Sequence, residues 1–471
     1  MTTNHASWRA RRATRGLAAF AAVALLGLAG CNDFLEGGEL SEDPTRPTVA
    51  TNRQLFVGVQ TNIWSQLTSD PSRIVNLWTQ QFEGIQSQYF SAYTYQVNEN
   101  TTNGFHRALY AGGGLRDVRQ LQDNAREQGD TLFLGIAQVQ EAMLVGSAAD
   151  LFGDLVYSQA LNGETDAALD PQMDIYDAVQ TLLSDAITNL ESFTTTATNL
   201  GPGNTDLAYG GDREQWTRLA HTLKARYYLH TAEVRPGAYA QAYAESKLGI
   251  LDPADDYKAI FSGAAGESNF WYQFTLEQRF GYLIPNSQFV ELLEARNDPR
   301  LDFFFDVTGD TCGDPFFCLG GTGEGDAQPL DPGYDQPIVT AAENHLIWAE
   351  TAFRTSRPGE ALTHLNEARD IAGLPAESGV SGEALLREIL TEKYIALFQN
   401  LEAYNDYKRT CFPNIEPTVA GLKIPARFLY DTQERLTNAN VPGPQDQPTR
   451  NANDPPNATA DATGGQACLG Q

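Results

Sequence analysis

Basic residues are scarce in this chain. Its 471 residues include 32 Lys and Arg against 60 Asp and Glu, which gives a formal net charge of −28. Such a surface repels polyphosphate, and no basic stripe interleaved with aromatic residues offsets the repulsion. Nucleic acid is therefore not an expected partner. The hydrophobic content of 42% and the aromatic content of 10% also exclude disorder over most of the chain.

Catalytic signatures are missing as well. The chain has no Gly-x-Ser-x-Gly elbow, no His-Glu-x-x-His and no P-loop. A carboxylate pair for glycoside hydrolysis stays open, because the required separation is spatial. Four acids in a Gly-rich loop offer oxygen ligands for calcium, but their spacing fits no calcium loop; they are Asp310, Asp314, Glu324 and Asp326. We expect a protein that is not an enzyme and needs no metal or cofactor.

Long apolar runs are rare, and the clearest one lies near the N-terminus. Basic residues 9–15 precede an apolar run at 17–28, which is shorter than the roughly 20 residues of a membrane span. The following Leu28-Ala29-Gly30-Cys31 matches the bacterial lipobox. We predict that residues 1–30 are a lipoprotein signal peptide, that Cys31 is lipidated, and that acidic residues 31–48 form a flexible tether. An ordinary secretory signal is the alternative.

No second apolar stretch of spanning length follows the leader. Because backbone amides must be satisfied inside hydrocarbon, we expect the mature chain to be attached to a membrane through its lipid anchor only. Cysteines are also few. Beyond Cys31 there are four, an even number that suits disulfides in an oxidising compartment; they are Cys312, Cys318, Cys411 and Cys468. The favoured pairs are 312–318 and 411–468, and zinc is the rival interpretation, although no Cys-x-x-Cys supports it.

Helical periodicity dominates the rest of the chain, and strand signals are sparse. Tyr176, Val179, Leu183, Ala186 and Leu190 are spaced 3, 4, 3 and 4, which is typical of an amphipathic helix. Residues 216–227 and 385–398 follow the same pattern. Each such helix needs a partner to bury its apolar face. The sequence therefore predicts a mainly α fold built from packed helices.

One stretch has the spacing of a tetratricopeptide repeat. Ala349, Ala361 and Ala368 lie twelve and seven residues apart, where two antiparallel helices approach closely, and Leu365 takes the large apolar position. A chance pattern of alanines is the alternative. Segments 135–190 and 216–250 are looser pairs of the same kind. Irregular, aromatic-rich stretches at 78–95, 261–282 and 303–334 separate the pairs, and loops this long are usually functional.

The chain resembles the SusD/RagB family of outer-membrane lipoproteins. The resemblance is carried by the lipobox and by the order of several strings: 42–48, 151–157 (with Val156 where the family usually has Pro), 223–230, 297–301, and 392–398 running into 402–409. It covers roughly residues 31–430. It implies tetratricopeptide-like helix pairs that form a scaffold with long irregular loops on one face. We expect a single SusD-like domain at 49–437 and a polar, loosely ordered tail at 438–471.

The aromatic stretches supply candidates for ligand contacts, because sugar C–H faces stack on rings and sugar hydroxyls bond to amides. The candidates are Trp78, Gln81, Tyr89, Phe90, Tyr93, Tyr95, Trp271 and Tyr272. For any one ring, a place in the core is the alternative.

The resemblance implies a cell-surface, non-catalytic nutrient-binding protein of the outer membrane. Its ligand would be a glycan or another oligomer, and it would act as the lid of a SusC-like TonB-dependent transporter. The acidic charge argues against strongly anionic glycans. A tetratricopeptide-type envelope adaptor that binds protein partners, and a polysaccharide hydrolase, are the alternatives.

Overall fold

The structure is a computed structural model that describes residues 50–196, 200–309, 318–320 and 328–455 and the backbone of 469–470. The predicted signal peptide, the lipidated Cys31 and the tether lie outside the described residues. So do Cys312 and Cys468 and the four acids of the Gly-rich loop, Asp310, Asp314, Glu324 and Asp326.

Helices make up most of the described chain. In order they are α1 Asn52–Thr68, α2 Asp70–Trp78, α3 Ser87–Tyr93, α4 Asn103–Tyr110, α5 Leu115–Gln128, α6 Thr131–Phe152, α7 Gln172–Glu191, α8 Arg213–His230, α9 Ala238–Ser246, α10 Phe270–Tyr272, α11 Ser287–Arg296, α12 Arg300–Phe304, α13 Ala341–Arg354, α14 Pro358–Ile371, α15 Glu383–Ala396, α16 Glu402–Thr410 and α17 Thr432–Thr437. A π-helical turn, Gln273–Gln278, follows α10. The described strands form three small pairs: β1 Phe82–Gly84 with β3 Leu283–Pro285, β2 Tyr257–Ala259 with β4 Gln336–Val339, and β5 Ile424–Pro425 with β6 Leu469–Gly470.

Helix α6 is the central helix of the scaffold, and α5, α7 and α8 pack around it. Its N-terminus is capped by Asp130, whose carboxylate accepts a hydrogen bond from the amide of Phe133 at 2.9 Å. Gly146 allows α8 to approach, since a Cβ there would lie 2.2 Å from the ring of Tyr227. The helix therefore buries side chains on nearly all sides.

By length and composition alone, α6 is also the one described helix that could cross a membrane, which differs from our expectation that no such stretch follows the leader. However, 94% of its most apolar window is buried inside the protein. A core helix of this kind passes the same test.

The helical stripe predicted from spacing is confirmed on α7. All five residues of the stripe are buried against neighbouring helices. The predicted repeat is confirmed as well. Ala349 on α13 packs with Ala361, Leu365 and Ala368 on α14 in one buried cluster. Small side chains at these positions let the two helices lie close together. The fold is thus mainly α, with tetratricopeptide-like helix pairs.

A buried ionic cluster connects helix α16 to α6 and α8 of the first helix pairs. His230 on α8 places Nδ1 2.8 Å from Asp150 on α6 and Nε2 2.8 Å from Glu402 on α16. These carboxylates outweigh the effect of burial and raise the pKa of His230 to about 9. The three side chains lie close enough together to hold a metal. However, both ring nitrogens already face carboxylate oxygens, so the imidazolium itself supplies the positive charge.

The predicted loose tail is wrong for residues 438–455. Asn451 and Asn453 are buried, and Asn453 Nδ2 donates to the hydroxyl of Tyr176 and the carbonyl of His230, both at 3.1 Å. These side-chain amides hold the segment against the helices, because they form hydrogen bonds with buried polar groups there. Polar composition alone did not reveal this role.

Candidate functional site

The short pair β1–β3 brings two of the predicted aromatic stretches together. Its antiparallel register sets Phe82 opposite Pro285 and Gly84 opposite Leu283. Immediately beyond the strands, the amide of Ile85 donates to the carbonyl of Tyr282 at 3.1 Å. The side chain of Gln86 then donates to the carbonyl of Gly281 at 3.2 Å. Residues from 78–95 and from 261–282 therefore meet at one edge.

Large apolar side chains are exposed at this edge. Ile85 is 40% exposed, Phe90 50% and Phe280 47%, while Tyr282 is half-buried beside them. We call these four residues the β1–β3 surface. Single exposed apolar residues are ordinary, but several on two adjoining segments make this edge a candidate binding surface.

Helix α3, which carries Phe90, is held in a constrained position. A Cβ on Gly84 would lie 2.1 Å from the carbonyl oxygen of Tyr89, so only glycine allows β1 to pack this closely on α3. Ser87, the first residue of α3, has a positive φ of 49°. Such a conformation is uncommon for a residue other than glycine and persists where the surrounding structure enforces it.

Tyr89 anchors α3 through contacts of its buried side chain. Its hydroxyl donates to the carboxylate of Asp70 and accepts from Arg73 Nε at 2.8 Å. The guanidinium of Arg73 also lies over the ring of Phe274, 4.6 Å from its centroid, in the π-helical turn. Burial of the phenol is the main reason why the pKa of Tyr89 is raised. Tyr89 is a buried positioning residue, and its prediction as a ligand contact is wrong.

Three further candidates are core residues. Trp78 donates from Nε1 to the carbonyl of Ala92 at 3.0 Å, and Gln81 donates from Nε2 to the carbonyl of Tyr394 at 2.9 Å. Trp271 packs against Phe82 with ring centroids 5.0 Å apart. All three predicted residues are at most 1% exposed. A ring or amide without accessible surface cannot contact a sugar, so these predictions are wrong.

The other four candidates keep accessible surface. Phe90 is exposed, and Tyr93, Tyr95 and Tyr272 are half-buried. The hydroxyl of Tyr95 accepts from the amide of Thr418 at 3.0 Å, which anchors this ring to the loop after α16. Burial is the main cause that raises the pKa of Tyr93 to about 12, so this phenol remains a neutral donor at physiological pH. These four remain candidate contacts.

Ile85, Phe280 and Tyr282 were missed by sequence reasoning. Phe280-Gly281-Tyr282 ends the second aromatic stretch, so its composition was visible. The pairing of β1 with β3, which brings this segment next to the one that carries Phe90, was not visible, because three-residue strands leave little periodic signal.

Polar groups surround the apolar edge. The side chains of Gln88 and Gln278 are exposed, and neither bonds to another of the described residues. The guanidinium of Arg279 lies 5.8 Å from the ring centroid of Tyr282. Rings that stack on C–H faces beside amides that exchange hydrogen bonds with hydroxyls suit an uncharged, polyhydroxylated ligand.

Fold and surface together define a helical-repeat binding protein with an aromatic loop face. A family model described as "starch-binding associating with outer membrane" matches residues 44–373. The match spans well over half of the chain, and the chain belongs to this SusD-like family, which is associated with the outer membrane.

Solved structures share the fold. A SusD/RagB family protein from Bacteroides thetaiotaomicron is 22% identical, with a TM-score of 0.65 over 83% of this chain and 95% of that one. A chitin-binding SusD homolog from Flavobacterium johnsoniae is 17% identical, with a TM-score of 0.68 over 85% and 98%. At these identities the likeness shows the fold alone. No curated protein sequence matches the chain.

Proposed function

We propose that this protein is a non-catalytic glycan-binding lipoprotein whose β1–β3 surface contacts the ligand. The observation that carries the proposal is the convergence of Ile85, Phe90, Phe280 and Tyr282 at one exposed edge. Rings on rigidly held loops bind sugars with little loss of conformational entropy. The half-buried Tyr93, Tyr95 and Tyr272 extend the set of contacts.

The favoured ligand is a neutral or weakly cationic oligosaccharide. The net charge of −28 opposes strongly anionic glycans. One structural neighbour is a chitin-binding protein, which makes chito-oligosaccharides the first ligands to test. Maltooligosaccharides come second, because the family model is described as starch-binding.

The protein would be held at the cell surface by a lipid on Cys31 and would cover the mouth of a SusC-like TonB-dependent transporter. The lipobox that ends at Cys31 supports the anchor, and the resemblance supports the partner. A tethered lid keeps a high effective concentration at the transporter while it moves. A Cys31→Ser variant should be released from the envelope, and wild-type protein should co-purify with a barrel of transporter size.

The experiment that tests ligand binding is calorimetric titration of the mature protein with chitohexaose and maltohexaose. Phe280→Ala and Phe90→Ala should each weaken binding about tenfold, the loss of roughly 1.4 kcal/mol expected for one stacked ring. Leu436→Ala, which changes another exposed apolar residue outside the surface, is the matched control. Unchanged affinity in both Phe variants would contradict the proposed surface. New reducing ends after incubation would contradict a non-catalytic role.

A further inference from the structure

A separate cavity lies between helix α12, strand β4 and the C-terminal ends of α14 and α15. Its volume is about 370 Å³, and none of its lining residues belongs to the β1–β3 surface. Volumes of this order are typical of small-molecule sites. An oligosaccharide that spans several sugars needs an open cleft with many polar partners, so the cavity suits a smaller ligand.

The walls of the cavity are mostly apolar. Phe304 and Phe398 stack with ring centroids 4.0 Å apart and line one side together with Phe303. Small side chains, among them Ala372, leave the space open, and Ile371 lies at the exposed rim, where it is 40% exposed. A ring-containing molecule fits such walls, because flat apolar faces pack well against aromatic side chains.

Most polar groups of the lining already have partners. Arg300 is paired with Asp298 at 2.6 Å and Glu392 at 2.7 Å. Asn400 donates from Nδ2 to the carbonyl of Ile338 at 3.1 Å. These side chains shape the cavity and have little capacity left for a ligand.

Tyr334 is the exception. Among the residues that the structure describes, none exchanges a hydrogen bond with its hydroxyl. The carboxylate of Asp256, also in the lining, accepts from the amide of Ala341 at 2.8 Å and lies 3.9 Å from Lys258 Nζ. Asp256 and Asp335 both act electrostatically on the Tyr334 phenol, and burial is the main cause that raises its pKa. An anionic ligand would be repelled by these carboxylates.

We propose that this cavity binds a compact, uncharged, ring-containing molecule that carries a hydroxyl group, with the Tyr334 hydroxyl as its hydrogen-bond partner. The aromatic walls supply the binding area, Tyr334 orients the ligand, and Asp256 excludes carboxylates. The site is independent of the proposed glycan surface, so either proposal stands or fails alone.

The test is a calorimetric titration of the mature protein with 2-naphthol, with naphthalene and 2-naphthoate as ligand controls. We expect saturable binding of 2-naphthol, weaker binding of naphthalene and none of 2-naphthoate. Tyr334→Phe should weaken 2-naphthol binding by about 2- to 10-fold, the range for one neutral hydrogen bond, and leave naphthalene binding unchanged. Ala372→Phe should abolish binding of both.

Ile371→Trp is the second blocking variant, since the exposed rim position accepts a larger side chain without disturbing the core. Leu436→Ala is the control, and circular dichroism checks each fold. Absence of 2-naphthol binding up to about 1 mM would overturn the proposal, as would binding that both blocking variants leave intact. A Tyr334→Phe variant with wild-type affinity would overturn the assigned ligand class. Chitohexaose affinity should be the same in all of these variants.

Discussion

The amide of Ile85 lies 3.1 Å from the carbonyl oxygen of Tyr282, and this hydrogen bond joins two aromatic stretches that are distant in sequence. The bond continues the β1–β3 pair by one step and brings together the segments that carry the exposed Phe90 and Phe280. The proposed binding surface thus depends on a few hydrogen bonds between the two stretches. The surface is most sensitive where backbone segments approach closely, as β1 does to α3 at Gly84.

Gly84→Ala should weaken ligand binding. The added methyl group would meet the carbonyl of Tyr89 at 2.1 Å, so β1 and α3 must separate, at a cost of about 1–3 kcal/mol. Phe90 follows Tyr89 directly and would move with it. We expect at least a threefold loss of chitohexaose affinity, measured by calorimetry.

Gly104→Ala is the matched control for this substitution. A Cβ at Gly104 meets no atom within 4 Å, and in helix α4 the change should stabilise the protein by about 0.5–1 kcal/mol. If Gly84→Ala and Gly104→Ala bind the ligand equally well, the close approach at Gly84 is irrelevant to binding.

The His230 cluster predicts a specific loss of stability at alkaline pH. Its folded-state pKa of about 9 lies above the ordinary value of 6.5, so its stabilisation is complete below pH 6.5 and is lost as the pH rises through 9. The shift corresponds to about 3 kcal/mol. Urea unfolding between pH 6.5 and 9 should show the decline. Burial lowers the pKa values of His106 and His364 to about 4, so these two side chains affect stability only below the range of pH 6.5 to 9.

His230→Gln tests the origin of that slope. Glutamine cannot become cationic, so Asp150 and Glu402 would lose their shared positive partner. The variant should be less stable at pH 6.5 and show a flatter dependence up to pH 9. An unchanged slope would assign the alkaline loss to another group.

The sequence predicted the scaffold better than the surface. The geometry of packed helices sets the spacing of the stripe from Tyr176 to Leu190 and of the alanines at 349, 361 and 368. That spacing is local, so it can be recognised in the sequence. Whether a ring in a loop faces the core or solvent depends on distant partners. Trp271 is buried because Phe82 packs on it, whereas Phe280, nine positions later, is exposed. Composition cannot separate these two cases.

The C-terminal segment also shows that composition does not predict burial, since several of its polar residues are buried. Asn451 and Asn453 belong to a polar stretch typical of loose structure, yet their amides bond to groups on α6, α7 and α8. Those acceptors become available only once the helices have packed.

Disulfide mapping tests the predicted cysteine pairs. Cys318 and Cys411 are both disulfide-bonded. Strand β5 follows Cys411 in the chain and pairs with β6, so the segment after Cys411 lies beside residues 469–470. Peptides from unreduced protein should contain the links 312–318 and 411–468. The second link closes a long loop, so removing it by Cys411→Ala with Cys468→Ala should cost about 4 kcal/mol on the chain-entropy estimate. A link between Cys318 and Cys411, or free thiols in the folded protein, would contradict the pairing.

Trp271→Ala and Phe280→Ala should separate stability from binding. Trp271 is fully buried and packs on Phe82, so its removal leaves a cavity and should lower the free energy of unfolding by about 3–5 kcal/mol. Phe280 is 47% exposed, and its removal should change stability by no more than about 0.5 kcal/mol. Urea denaturation measures the first effect, and chitohexaose titration of the folded proteins measures the second. We expect Phe280→Ala to lose affinity at wild-type stability. If Phe280→Ala instead keeps full affinity, Phe280 does not contact the ligand and the proposed β1–β3 surface loses its support.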